Sequence, residues 1–530
     1  MLDLFLGLSA WQLIAIIAAL SIIYLFWHYT QLQRLGYQCS PPLPIVGHWH
    51  MILQHGYRSD SQNKDKYGKM FAQYEGWRPT VVVCDPHLIK ECCVKKFDDY
   101  PQRIVPFPLS KEVEFAVTTA LGDEWTKQRR IMTQAFTAAK MRRLAILINN
   151  CARQFCDSLQ VKADRNENVE VRKTCGEFVM RVVATSLFGV DVSKDEELQK
   201  FAGYAVKMGA SLDLKNPVMF LSLLSRRMAS MFKLMGYSYK RRGPVASECF
   251  QFFKRTMIAL KKAREQLEEY EKPNDLLQLL LDGHKTEGAL RKASVVASAF
   301  DATDESLAVC ADAEDSAKKG FSTEELVSNA IIFFSAGYIT TTAALGWMMY
   351  LLATHPEVQE KLRKEVEEKW PEDHTVDISY DTIAEMKYLD QVFCETLRVF
   401  PSTQRMDRIA VRDSSIGGRP IPKGVQVNIS IWSVHHDEEY WPEPYKFDPD
   451  RFSPENKANV IPYSFLPFGA GPRNCIGMRL ATLEAKIAIS HLVKRFHLKP
   501  CAETEIPPNL RNQVHTAPTA GIVLLLEKRS

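Results

Sequence analysis

Phe468-Gly-Ala-Gly471-Pro-Arg473-Asn-Cys475-Ile-Gly477 decides how the rest of this chain is read. The spacing is that of a loop wrapped around a metal-bound thiolate, and the metal it suits is haem iron. A thiolate ligand must stay deprotonated and unoxidised, which calls for backbone N–H donors aimed at the sulfur and an apolar shield from water. Gly469 and Gly471 permit the positive φ angles that turn successive N–H groups inward, as in anion-binding nests. Phe468 is placed to cover one side of the sulfur, and Arg473 to reach a haem propionate. Gly477 lets a helix begin close to the porphyrin. The segment Met478 to Lys486 reads as that helix, its N-terminal dipole end favouring the negative sulfur.

Two further motifs stand upstream at ordered spacing. Glu395-Thr-Leu-Arg398 lies in helix-like sequence, and residues three apart share a helix face, so the pair can form an ion pair. Pro449-Asp-Arg451-Phe452 follows. With the cysteine loop, these resemble the cytochrome P450 family, in which the glutamate and two arginines form a network behind the haem. The stretches Ala336-Gly-Tyr, Leu352-Ala-Thr-His-Pro356, Ile421-Pro-Lys-Gly424 and Leu466 to Arg473 resemble most the clan of animal drug- and steroid-oxidising enzymes and thromboxane synthase. The resemblance implies a mainly α fold with a small β region and haem b (iron protoporphyrin IX) held by Cys475. It also implies propionate contacts from Trp125 and Arg129, four apart on one helix face, and from Arg408 in Arg405-Met-Asp-Arg408; Arg103 is a candidate fourth.

The helix over the haem carries the main departure. Relatives read Ala/Gly-Gly-x-Asp/Glu-Thr there, and the acid and the alcohol relay protons to dioxygen. This chain reads Ala336-Gly337-Tyr338-Ile339-Thr340-Thr341, with Ile at the acid position. Gly337 and Ala336 are expected to leave room for a ligand, and Thr340 to hydrogen-bond it. Proton transfer by a positioned side chain is typically worth about 10²–10⁴-fold, so its loss leaves two readings open. The first is a monooxygenase relying on ordered water or another group. The second is a thromboxane-synthase-like isomerase or dehydratase of lipid peroxides that needs no NADPH.

Composition suits a large enzyme: 530 residues, 46% hydrophobic, with 67 basic against 63 acidic side chains for a net charge of +4. That charge argues neither for nor against nucleic acid, and no nucleic-acid partner is expected. Twelve cysteines without regular C-x-x-C pairing suggest neither zinc nor a redox dithiol, and a reduced, cytosol-facing domain follows. Leu4 to Trp27 is apolar and free of charge, and at about 1.5 Å per residue it can cross a hydrocarbon core of roughly 30 Å. Bulky Phe26, Trp27, His28 and Tyr29 argue for an uncleaved anchor. Arg34 after the span, with Asp3 before it, places residues 30 to 530 in the cytoplasm, and the family analogy makes the membrane endoplasmic reticulum. We therefore expect an anchor over 1–30, a linker over 31–50 with Ser40-Pro41-Pro42-Leu-Pro44 as a stiff hinge, and one catalytic domain over 51–530.

Thr80 to Cys84 reads as a strand, 124 to 290 as mostly helical, and Lys292 to Lys319 as a solvated loop. Ser322-Thr-Glu-Glu325 is a capping box opening the long helix. The expected pocket lies between Phe333, Phe334, Ser335 and Ala336, the turn Ser402-Thr403, the loop near Thr516 to Thr519, and residues 105 to 120. These are apolar or weakly polar, so a lipophilic small molecule is favoured. Val218 to Phe232 is read either as dipping into the bilayer or as ordinary packing. The resemblance implies electrons from NADPH through a membrane-bound reductase, with cytochrome b5 as a second donor. Lys127, Arg130, Lys140, Arg142 and Arg143 form a candidate dock for it, or a solvated helix face.

Overall fold

An apolar N-terminal helix, α1 (Ala10–Tyr29), starts where the Ser9 hydroxyl accepts from the Gln12 N–H and the Gln12 amide accepts from the Ser9 N–H. The computed structural model describes residues 9–103, 115–189, 244–268, 275–281, 321–511 and 515–529, with residues 221, 224, 225, 231 and 272. The loop expected over 292–319, most of the 218–232 segment and part of the 105–120 region lie outside those residues. Among the described residues, two helices are long and apolar enough to cross a membrane. The span from Ala10 to Leu35 has a mean hydropathy of 2.0 and leaves Trp11, Ile17, Leu20, Ile22 and Phe26 exposed, as a lipid-facing helix would. The second, Thr323–Thr354, is packed inside the protein and is the core helix.

The chain leading into the proline run is packed, while Pro41 and Pro44 themselves are exposed. His28 Nε2 lies 3.2 Å from the Trp77 carbonyl, and the Tyr29 hydroxyl donates to the Gly76 carbonyl at 3.2 Å. The Tyr74 hydroxyl accepts from the Leu32 N–H, and the Tyr37 hydroxyl donates to the Pro420 carbonyl. Leu32 and Tyr37 are buried. The anchor helix thus ends against the turn between strands β1 (Met70–Glu75) and β2 (Arg78–Val83), before any proline is reached.

Eight further helices of twelve or more residues appear among the described residues: α2 (Gly122–Thr133), α3 (Ala138–Asp164), α4 (Val171–Phe188), α5 (Pro244–Glu265), α6 (Thr323–Thr354), α7 (Pro356–Lys369), α8 (Lys387–Val399) and α9 (Met478–Arg495). The capping box opens α6 as the sequence indicates, with Ser322 Oγ accepting from the Glu325 N–H and the Glu325 carboxylate accepting from the Ser322 N–H. Helix α6 packs along α4, α5, α8 and α9, which makes it the axis of the apolar core. Seven more strands are short: β3 (Val169–Glu170), β4 (Arg405–Ile409), β5 (Ser414–Ile416), β6 (Arg419–Ile421), β7 (Gln426–Ser430), β8 (Phe496–Pro500) and β9 (Val523–Lys528). The largest sheet runs β1-β2-β7-β4, with β2 and β7 parallel; the others are β3-β9-β8 and β5-β6. The architecture is mainly α with a small β region, as expected.

Alternation along β4 decides what reaches the cysteine loop. Arg405 points to one face, where it pairs in the interior with Asp60 and with Glu75 at 2.7 Å. Met406 and Arg408 point to the other. A Cβ on Gly469 would meet Met406 Sδ at 3.4 Å, and Arg408 Nη2 donates to the Ala470 carbonyl at 3.2 Å.

Three buried histidines bear on acid stability. Burial depresses His436 and His491 to about 3 and His435 well below its ordinary value. The unfolded chain takes up these protons below about pH 6.5 and the folded chain does not, so the stability they give is present above pH 6.5 and declines on acidification. Each can remove up to about 1.4 kcal/mol per pH unit in that window. Glu484, pushed up to about 8 by burial, acts in the opposite sense as pH falls from 8 to its unfolded value. Lowered histidines, with His28, His48, His497 and His515 added, outnumber the raised carboxylates Glu325, Glu365, Glu395 and Glu484, which predicts a lower thermal midpoint at pH 5 than at pH 7 by scanning fluorimetry; an equal or higher midpoint would overturn the prediction.

Candidate active site

The cysteine loop is built by close approaches. Gly469 and Gly471 adopt φ of +77° and +73°. At Gly471 a Cβ would overlap the Cys93 carbonyl oxygen, so both backbone angle and space require glycine. The Cys475 N–H donates to the Phe468 carbonyl at 2.8 Å, and the Asn474 N–H to the Gly471 carbonyl at 2.9 Å. Phe468 stacks on Phe393 of α8, with ring centroids 6.5 Å apart. Cys475 is exposed although protein encloses it, as for a residue facing an internal cleft. Burial pushes its thiol up, while the Gly477 N–H and the Arg129 and Arg103 guanidinium groups pull the other way. These last three are what a bound thiolate would use.

Four arginines converge around the loop. Arg103 Nη2 donates to the Arg473 carbonyl at 2.5 Å, and Arg473 Nη2 to the Ala120 carbonyl at 2.8 Å. Arg129 grips Asn474 through its backbone and side-chain oxygens at 2.9 and 2.5 Å, so this candidate propionate contact buttresses the residue before the cysteine. Trp125 lies under Arg473, its ring centroid 4.5 Å from the guanidinium carbon. Desolvation, reinforced by the other arginines, lowers Arg103 to about 10 and Arg473 to about 9. The Nε atoms of Arg103, Arg408 and Arg473 are buried without a hydrogen-bond partner. Such a concentration of like charge with unspent donors suits an anionic ligand, and the two propionates of haem fit the demand. Iron protoporphyrin IX needs one protein sulfur.

Behind the loop, Arg398 and Glu395 form a bidentate pair with two contacts of 2.7 Å, both side chains fully buried. Arg451 Nε reaches the same carboxylate at 3.4 Å, which completes the trio read from sequence. Arg398 also donates to the carbonyls of His435, Pro444 and Lys446. The structure adds His435, which sequence reading missed. Its Nε2 lies 2.8 Å from the Leu466 backbone nitrogen, which can only donate, so Nδ1 carries the proton and donates to the Arg398 carbonyl at 3.2 Å. His435 therefore joins the ion pair to the first residue of the loop stretch.

Helix α6 runs unbroken past the site. Ala336 is exposed in the middle of this core helix and shares a face with half-buried Phe333 and Thr340, so that face lines the cleft. Thr340 Oγ1 donates to the Ala336 carbonyl at 2.8 Å, which turns its lone pairs outward. A Cβ on Gly337 would make only an ordinary 3.5 Å contact with Val183 of α4. Phe334 is fully buried against Phe188 and Phe253, on the side away from the cleft expected for it. Thr516 is also buried, its hydroxyl donating to the Pro401 carbonyl at 2.5 Å, while His515 and Ala517 are partly exposed and Thr519 is exposed. In the basic dock, Lys127 is buried in an ion pair with Glu325 at 3.0 Å and Arg142 pairs with Asp381 at 2.9 Å, which removes two of its five cations.

Fold and site together define a haem-thiolate oxidoreductase. The profile of the family Cytochrome P450 matches residues 38–526. Cytochrome P450 3A30 of Fundulus heteroclitus is 31% identical over 527 residues, covering 99% of each chain. Cytochrome P450 3A12 of Canis lupus familiaris is 31% identical over 98% of this chain and 97% of its own, and cytochrome P450 3A29 of Sus scrofa 31% over 100% and 99%. The chain belongs to the cytochrome P450 family and is an oxidoreductase of its monooxygenase class, whose members hold haem through a cysteine thiolate.

Two glycines separate folding from cofactor binding. Gly471→Ala is expected to abolish soluble folded protein, because the Cys93 backbone cannot retreat. Gly477 has an ordinary φ of the N-cap, −85°, and a Cβ there would meet no protein atom within 4 Å. Gly477→Ala should keep the thermal midpoint of the haem-free protein and lower the haem-to-protein ratio several-fold in pyridine haemochrome assays.

Proposed function

We propose that this chain is a membrane-anchored haem-thiolate monooxygenase that inserts one oxygen atom from O2 into a lipophilic steroid, lipid or xenobiotic. Electrons would come from NADPH through a reductase, with cytochrome b5 as a second donor. The observation that carries the reading is the Cys475 loop, with a Gly477 N–H on the sulfur and unspent guanidinium donors beside it. Haem, when bound, supplies dioxygen activation, and the thiolate's electron density favours O–O cleavage. The chain's own residues would then divide the work. Cys475 would hold the iron through its thiolate; Arg473, Arg408 and Trp125 would hold the propionate edge; Phe468 would shield the sulfur. Glu395, Arg398 and Arg451 keep the loop in place. Thr340, its proton committed to Ala336, accepts a hydrogen bond from a water or ligand proton at Oγ1.

The reading places α1 in the endoplasmic reticulum membrane as a single pass, with the catalytic domain cytoplasmic. A lipid-exposed helix and the docking of its end on the β1–β2 turn support it.

One observation favours a second reading: Ile339 carries no proton, which suits an isomerase or dehydratase of lipid peroxides. The purified haem protein, incubated with a partly peroxidised lipid extract with and without reductase and NADPH, distinguishes them. Products heavier by one oxygen that require NADPH are expected. Isobaric or water-loss conversion of peroxides without NADPH would instead establish the isomerase. If the monooxygenase reading holds, Ile339→Glu should cut the peroxide released per NADPH oxidised several-fold, measured by coupled peroxide assay.

A further inference from the structure

The chain entering α2 makes one helical turn over residues 116–120, where the Thr119 and Ala120 N–H groups both donate to the Ala116 carbonyl, at 2.9 and 2.8 Å. Side chains from other elements hold both ends of this turn. At its carbonyl end Arg473 donates from Nη1 to Val117 at 3.4 Å and from Nη2 to Ala120 at 2.8 Å. At its N–H end the Val117 N–H donates to Oδ1 of Asn329, on α6, at 2.8 Å. Asn329 is fully buried, and its Nδ2 donates to Gln128 Oε1 at 3.0 Å and to the Glu325 carbonyl at 2.9 Å. Gln128, fully buried on α2, donates in turn from Nε2 to the Phe115 carbonyl and to the Glu124 carboxylate, each at 3.0 Å.

Hydrogen-bond chemistry fixes both amide orientations. A backbone N–H only donates, so the Asn329 atom facing Val117 is its oxygen. Its nitrogen then faces Gln128, whose oxygen must accept, and the Gln128 nitrogen is left for the Phe115 carbonyl, which only accepts. Turning either amide over would set donor against donor or acceptor against acceptor at a buried site, which is costly. Asn329 and Gln128 therefore act as one rigid bracket between α6, α2 and the turn. What holds Arg473 in place is that same turn, with the Trp125 ring beneath the guanidinium. Arg103, Arg408 and Arg129 repel it, and Asp407 is the offsetting charge. Both Nη atoms are committed to the turn while Nε is buried and unpaired, so the seat of the turn decides where that donor points.

We propose that Asn329 is a positioning residue for the haem edge: through the turn at 116–120 it holds the Arg473 guanidinium against the repulsion of its neighbours, so that α6 sets a propionate contact it does not itself make. This deepens the proposed function and rests on Arg473 meeting a propionate there.

The test is the rate of haem dissociation from the full-length haem protein, read by transfer to excess apomyoglobin. Asn329→Leu, close in volume but without donor or acceptor, should speed haem loss roughly tenfold, the scale of one buried hydrogen bond left unpaired. Arg473→Gln should speed it as well, and in that background Asn329→Leu should add less than about twofold, because both act through one contact. Asn329→Asp supplies a pH profile. As a neutral acid it keeps an acceptor for Val117 and a donor for Gln128; ionised, it loses the donor and faces the Glu124 and Glu325 carboxylates, with Lys127 as the opposing cation. Its haem loss relative to wild type should therefore climb several-fold from pH 6 to pH 8. An unchanged rate in Asn329→Leu, or an effect that persists in full in the Arg473→Gln background, overturns the inference and leaves the Arg473 assignment standing. An Arg473→Gln protein that keeps haem as tightly as wild type sinks that assignment itself. If Asn329→Leu gives no folded protein, the Asn329→Asp profile decides, and a ratio flat from pH 6 to pH 8 overturns the inference.

Discussion

A charge pair with no access to water sets the geometry of this enzyme. Removing Glu395 and Arg398 from solvent is costly, and a buried pair is tolerable only when its remaining donors and acceptors are met. Here they are: three carbonyls surround the guanidinium, and the Asp448 N–H donates to the carboxylate at 3.0 Å. Those partners come from residues 435 to 448, an irregular segment with little regular hydrogen bonding of its own. The ion pair fixes that segment, and through His435 it fixes Leu466 at the entrance to the cysteine loop. Satisfying two buried charges and shaping the metal-binding loop are thus one physical problem with one solution.

On the other side of the loop the electrostatics are reversed. Instead of balanced charge, Arg103, Arg408 and Arg473 crowd together beside Arg129 with their Nε donors unpaired, only partly offset by Asp407, so an anion bound there would relieve their repulsion. Stability and cofactor binding are coupled in this way, since whatever relieves the repulsion binds the folded chain and not the unfolded one. Burial raises the Cys475 thiol while this positive field lowers it, and coordination to iron would tip the balance toward the thiolate.

Legibility in the sequence followed the range of each interaction. The capping box of α6, the Glu395–Arg398 spacing and the glycines around Cys475 are local, and each was readable because its residues lie within one or two turns. Arg451 was readable only through family likeness. Phe334 was misplaced because consecutive residues on a helix face different ways, and only packing against Phe188 and Phe253 shows which side is core. The proline run is stiff by local rule, and only tertiary structure shows that the aromatic contacts of His28, Tyr29 and Tyr74 anchor the chain before it. His435 gave no periodic signal, since its partners lie 31 and 37 residues away.

By itself the sequence determined the class of chemistry, the thiolate ligand expected at Cys475, the helical character of the chain and its apolar N-terminal helix. These rest on short-range rules: backbone freedom at glycine, helix-face spacing, and the hydropathy of a continuous run. Tertiary structure alone decided that Arg129 holds Asn474, that Lys127 pairs with Glu325, and that His435 links the ion pair to the loop. In each case the deciding partner is distant in the chain, and a hydrogen bond or ion pair is specified by where two surfaces meet, which no local pattern of residues records.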